Sequence, residues 1–124
     1  MEAIGPLQLR VMHYIWANGP STVHSVHDAL NGEPGVQKLA YTTILTVMRN
    51  LARRKILNQK ASGRSHIFEP LVDEDTYKMG ILRQVRKELF GGDIHRLLGY
   101  LSRDEEVDES VRSSLQHGVH APVG

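Results

Sequence analysis

Between Pro6 and Pro70 the apolar residues recur three times at helical spacing, then give way to two short runs around Ser62-Gly63-Arg64-Ser65. That order narrows the fold more than any other feature of the chain. In "GPLQLRVMHYIWAN", Leu7, Val11 and Ile15 share one row, with Leu9, Met12 and Trp16 on the rows beside it. So wide a stripe predicts an amphipathic helix with one buried face. "NGP" at 18–20 ends it, because Gly suits a C-terminal turn and Pro cannot continue a helix. A second helix is predicted in "STVHSVHDALN", capped by Ser21 or Thr22, with Val23, Val26, His27 and Leu30 facing inward. The third lies in "AYTTILTVMRNLARRK", residues 40–55, where Ile44, Val47, Met48 and Leu51 fall within about 100° of one another. "ILNQKASGRSHIFEP" then predicts a hairpin with Arg64 at its tip, β-favouring Ile67 and Phe68 on the return run, and Pro70 closing it. Helix, helix, helix, hairpin is the order of a winged helix-turn-helix. In that architecture the third helix enters the DNA major groove and the wing reaches the flanking backbone.

The outer face of the third helix agrees with this. It carries Thr42, Thr43, Thr46, Arg49, Asn50 and Arg53, with Tyr41 at its start, and no acid occurs between Glu33 and Glu69. Three Thr on one exposed helix face cost helix stability, since a branched β-carbon loses rotamer freedom. A duplex gives that face a use. Short hydroxyls let the helix approach closely, Arg49 or Arg53 can take a guanine edge or a phosphate, and an acid there would be repelled. Lys38, Arg54, Lys60 and Arg64 are expected to add backbone contacts. The net charge of +1 hides this asymmetry. Residues 1–66 hold eight Lys/Arg against three Asp/Glu, while residues 67–124 hold seven against eleven. A basic half suggests a polyanion partner.

The C-terminal part differs in kind. "DEDTYKMGILRQVRKELF" starts acidic and ends basic, as the helix dipole favours, with Tyr77, Ile81, Leu82, Val85 and Leu89 in its stripe. "FGG" stops it, and Asp93 is expected to cap a short helix bearing Ile94, Leu97, Leu98 and Leu101. "SRDE" at 102–105 matches a capping box, predicting a last helix with Val107, Val111 and Leu115 on one side. A piece this small buries too little surface to hold itself folded. Its stripes are expected to pair with a second copy, giving a homodimer on an inverted-repeat site. The expectation is a mainly α protein: a winged helix-turn-helix over 1–71, a helical dimerisation region over 72–116, and a disordered tail over 117–124.

The 124-residue length fits one domain or one domain plus an appendage. There is no cysteine, no apolar run of membrane length and no signal-peptide pattern at the start, so a cytoplasmic address without membrane partners is expected. No nucleophile elbow, phosphate-binding loop or paired carboxylate points to an enzyme, and no cofactor is expected. Two other readings stand beside DNA binding. A winged helix can be a protein-interaction module. His24 and His27, three apart on one helix, have a spacing that can bind a metal, although no third ligand is evident. His117 and His120 lie in the tail.

"GPLQLRVMHYIW", "TVHSVHDAL", "LAYTTILTVMRNLARRKIL", "GRSHIFEP", "DEDTYK" and "LFGGD" follow one another in an order that resembles the penicillinase and methicillin-resistance repressor family, the BlaI/MecI-like winged-helix repressors. The resemblance spans about residues 5–115. It implies a dimeric repressor on palindromic promoter sites, in a family that includes regulators of β-lactam resistance operons. It also implies release when a membrane sensor triggers proteolysis. Alignment puts that cut at Gly99–Tyr100, where this chain has Gly-Tyr and cut members have Asn-Phe. Copper-responsive relatives carry C-terminal cysteine pairs, which this chain lacks.

Overall fold

The computed structural model describes residues 3–120. Its elements run α1 Pro6–Asn18, α2 Val23–Asn31, α3 Tyr41–Arg53, β1 Leu57–Ser62, β2 Ser65–Pro70, α4 Glu74–Phe90, α5 Ile94–Ser102 and α6 Glu109–His120. The chain divides into two compact units, the first ending at Tyr77 and the second beginning at Lys78.

The first unit is the predicted winged helix. Pro6 sits at the first helical position of α1, where its missing N–H costs nothing. Thr22 caps α2, its hydroxyl oxygen accepting from Ser25 N–H at 3.1 Å. Each helix sends one row inward: Val11, Met12 and Ile15 from α1, Val23, Val26 and Leu30 from α2, Ile44, Met48 and Leu51 from α3. Ile56 and Leu57 close that core from the start of the hairpin, and Phe68 fills it from the return strand. The strands pair antiparallel from Leu57↔Pro70 to Ser62↔Ser65, leaving Gly63 and Arg64 as a two-residue loop. Gly63 takes φ +61 and Arg64 does not go positive, the pattern of a type II′ turn matched to strand twist.

Two features lock the hairpin to the helices. Ser21 and Phe68 exchange both backbone hydrogen bonds, at 2.9 and 2.8 Å, so the turn before α2 acts as a third short strand. At the end of α3, Ile56 N–H reaches the Leu51 carbonyl at 3.0 Å and Lys55 N–H reaches that of Ala52 at 3.1 Å. This is a Schellman ending, with apolar Ile56 packed back toward Leu51. Its left-handed position is Lys55, at φ +64, where glycine is the usual occupant. Trp16 Nε1–H donates to the Val72 carbonyl at 2.9 Å and ties α1 to the chain leaving the wing. Tyr77, grouped by its stripe with the pairing residues, is buried in this first unit. Its ring lies 5.5 Å from that of Trp16, and its hydroxyl accepts from Ile4 N–H at 3.0 Å.

The second unit has no comparable core. Past Tyr77, among the described residues, Ser102 is the only buried side chain. Asp93 caps α5 as expected, accepting from His95 N–H at 2.9 Å. The junction before it turns on Gly91 and Gly92, at φ +55 and +85, braced by Arg86 Nη1 donating to the Gly92 carbonyl at 2.8 Å. The capping box predicted at Ser102 does not form. Ser102 is the last residue of α5, and its hydroxyl is spent on the Gly99 carbonyl at 2.7 Å. The last helix starts later, where Asp108 Oδ1 accepts from Ser110 N–H at 2.8 Å and is held below the usual carboxylate range by Ser110. α5 and α6 pack on each other. The tail expected at 117–124 lies outside the described residues from 121 on; up to His120 the backbone is helical.

Candidate nucleic-acid interface

α3 begins without a side-chain cap. Its N-cap is Ala40, which offers no side-chain acceptor; the Thr43 N–H turns to the Ala40 carbonyl at 3.1 Å, and no side chain caps the Tyr41 and Thr42 N–H groups. Tyr41, Thr42, Thr43, Thr46, Arg49, Arg53 and Arg54 are all exposed, and Asn50 is half-buried. The Thr46 hydroxyl donates to the Thr42 carbonyl at 2.9 Å. Its hydrogen is used within the helix, which leaves its lone pairs and methyl group outward. Arg53 Nη1 donates to Asn50 Oδ1 at 3.0 Å, so these two share one position on the face.

Two open clefts flank this helix. One, of about 490 Å³, lies between the start of α2, α3 and the wing. It brings Tyr41, Arg49 and Arg64 together with Thr22, His24, Gln59 and His66. The other, of about 420 Å³, lies between the end of α3 and β1, and collects Arg49, Arg53 and Lys55 with Asn58 and Gln59. Arg49 lines both, at the junction of helix and wing. Neither cleft includes Lys38, which is exposed on the α2–α3 linker beside His27 and Asn31.

Lys60 is committed in the free protein. Its Nζ lies 3.0 Å from Glu69 Oε1, diagonally across the hairpin, and Asn58 Nδ2 donates to the same oxygen at 3.1 Å. The Lys60 ammonium first, and then the Asn58 amide, hold the Glu69 carboxyl below its usual range. Lys55, His24, Gln59 and His66 were not among the DNA-contacting residues expected from the sequence, where His24 entered only as a candidate metal ligand. Lys55 is the last residue of the predicted helix but lies past the end of α3 at Arg53, and the others join the site only through the fold.

His24 and His27 do not converge on one point. His24 Nε2 pairs with Asp28 Oδ2 at 3.2 Å, whereas His27 Nε2 turns to the Leu39 carbonyl at 3.0 Å. Among the described residues, no three His, Asp or Glu side chains come together as a metal ion would need. No helix among those residues is long and apolar enough to cross a membrane.

The first unit thus sets a basic, acid-poor helix between two clefts and backs it with a hairpin, and a family model described as "Penicillinase repressor" matches residues 4–121. The chain belongs to the penicillinase repressor family. The transcriptional regulator BlaI of Mycobacterium tuberculosis, from strains CDC 1551 / Oshkosh and ATCC 25618 / H37Rv, is 34% identical to this repressor over 133 residues. That alignment covers 100% of this chain and 94% of the relative. Among solved structures, the solution structure of the DNA binding domain of the repressor BlaI matches with a TM-score of 0.52 and 26% identity, covering 62% of this repressor and 94% of that chain. The monomeric form of Bacillus licheniformis BlaI, solved in complex with the blaP half-operator, has a TM-score of 0.49 and 26% identity, covering 61% and 89%. The winged-helix assignment of this repressor stands on both its own topology and its relatives.

Proposed function

We propose that this DNA-binding transcriptional repressor holds an inverted-repeat operator as a homodimer, with α3 of each copy in the major groove and the wing on the adjoining backbone. The observation that carries the reading is Arg49, exposed at the meeting point of two cation-lined clefts on a helix face without acids. Thr42, Thr43 and Thr46 let that helix lie close, and Arg53, Arg54 and Arg64 supply phosphate contacts around it. The similarity to the DNA binding domain of another repressor of the family supports this assignment. Pairing is supported by the second unit: Leu82, Leu89, Ile94 and Leu101 remain 55%, 75%, 45% and 42% exposed in the single chain. A helical unit with its leucines outside and almost nothing buried gains by covering them with a second copy. Membership of the family supports β-lactam-response genes as the targets.

Salt dependence tests the reading. Three to four neutralised phosphates per copy give six to eight per dimer, and the log–log slope of affinity against salt is expected at about −5 to −7. Fluorescence anisotropy on a duplex selected from a random library measures it; a slope near −1 rules out this surface lying on a duplex. Glu69 provides a gain-of-function prediction. Glu69→Gln removes an acid from each wing and releases Lys60 in both copies, so affinity should rise about threefold to tenfold and the slope steepen by about two. An unchanged slope would place Lys60 away from the phosphates.

For release, a sensor-linked protease acting at Gly99–Tyr100 would meet a bond inside α5. Gly99 is tied there through its carbonyl to Ser102, and the Tyr100 ring lies 5.2 Å from that of Phe90 and 4.6 Å from the Arg103 guanidinium. Cutting at that bond requires α5 to open locally first.

A further inference from the structure

We infer that Asn31 is a positioning residue for the recognition helix: its side-chain amide grips both backbone groups of Leu39 and thereby sets where α3 begins. The inference rests on the reading that α3 recognises the duplex. Asn31 ends α2, and the linker beyond it is exposed from Gly32 to Lys38, with Gly35 at φ +74. Arg10 holds the near end of this linker through Glu33, at 2.8 Å. At the far end, Asn31 Oδ1 accepts from Leu39 N–H at 2.6 Å, and Asn31 Nδ2 donates to the Leu39 carbonyl at 2.9 Å. The amide therefore pairs with both backbone groups of one residue, as a neighbouring strand would.

His27, one turn earlier on α2, braces the grip. Its Nε2 lies 2.9 Å from Asn31 Nδ2 and 3.0 Å from the Leu39 carbonyl oxygen, and its ring meets the Tyr41 ring edge-on at 5.9 Å. Either tautomer of His27 leaves the two Asn31–Leu39 bonds in place. Leu39 also packs its side chain against the core, so residue 39 is held by backbone and side chain alike.

The start of α3 has no such brace of its own. Ala40, the N-cap, makes no side-chain hydrogen bond, and Tyr41, Thr42 and Thr43 come next on the outer face. With Asn31 removed, the first turn of α3 loses the amide's two bonds to Leu39 while every cation of the interface stays. Phosphate attraction tolerates such a shift because it depends on charge and carries no register. Reading base edges does not tolerate it, because those hydrogen bonds need the helix start in place. Asn31 therefore governs selectivity between sequences and leaves attraction to DNA in general alone.

The test compares two probes in anisotropy titrations: a duplex selected from a random library by the unaltered protein, and a random duplex of equal length. For Asn31→Ala, the Kd for the selected duplex should rise about tenfold, while that for the random duplex stays within about twofold and the salt slope is unchanged. Asn31→Asp keeps the acceptor for Leu39 N–H and loses the donor, and should fall between, at about threefold. A folded Asn31→Ala protein that melts earlier yet keeps the ratio of the two affinities overturns the inference, since that is what a merely structural residue would do. If Asn31→Ala does not fold, Asn31→Asp decides by the same ratio. Arg49→Glu separates the two levels. Should it lose the selected duplex while both Asn31 variants keep the ratio, only the grip is wrong. Should it bind normally, the reading of α3 fails as well.

Discussion

Arg49→Glu is expected to remove operator binding and to leave the fold and the proposed paired state intact. Arg49 is exposed, lines both clefts beside α3, and is absent from the buried core, so its replacement costs the first unit little. A bidentate Arg contact to a base is worth about 1–3 kcal/mol of discrimination. In a symmetric dimer the loss occurs twice, about 2–6 kcal/mol, or roughly thirtyfold to more than ten-thousandfold in Kd. A carboxylate set against phosphates adds repulsion to the lost contact. Anisotropy in dilute buffer reads the affinity, circular dichroism the fold, and sedimentation the oligomeric state. Binding within threefold of the unaltered protein would mean that another element reads the operator.

The second large effect concerns pairing. Leu89 is 75% and Leu101 42% exposed in the single chain, so neither Leu89→Glu nor Leu101→Glu disturbs an existing core. In a dimer that covers these faces, each variant buries a carboxylate in both copies at once. Burying an ionised carboxylate without a partner costs several kcal/mol, so the dimer dissociation constant should rise by more than about a thousandfold. The DNA consequence is separate and countable: a monomer engages half the phosphates, and the salt slope should fall to about −3. Sedimentation equilibrium gives the first number and anisotropy the second. A variant that pairs as tightly as the unaltered chain would move the dimer contact to another face.

Much of the first unit was legible because its helices are short, amphipathic and punctuated. The rows Val11/Ile15, Val26/Leu30 and Ile44/Met48/Leu51 are what a 3.6-residue period marks, and each row is buried. The wing was legible because Gly63 supplies the positive φ that a two-residue hairpin loop needs. The exchange between Ser21 and Phe68 was not, since main-chain pairing between distant residues leaves no trace in side-chain pattern. Nor was the Lys60–Glu69 pair, which depends on the register of the hairpin. Ser102 shows how a local motif fails. Its hydroxyl can serve the turn behind it or the turn ahead, and continuing α5 took the first option. Tyr77 makes the corresponding point for stripes. Periodicity says that a face must be covered and leaves open by what, and here Trp16 and Ile4 reach that ring and hydroxyl. Asn31 was read as the end of a helix, although the longer consequence of its amide lies across the linker at Leu39.

Trp16 is the single tryptophan of the chain, and its indole is held by the Val72 carbonyl and the ring of Tyr77, all within the first unit. Its emission is therefore a built-in optical reporter for that unit alone. Circular dichroism weighs the helices of both units, so the two signals, followed together on heating, show whether the halves of the molecule melt in one step or in sequence.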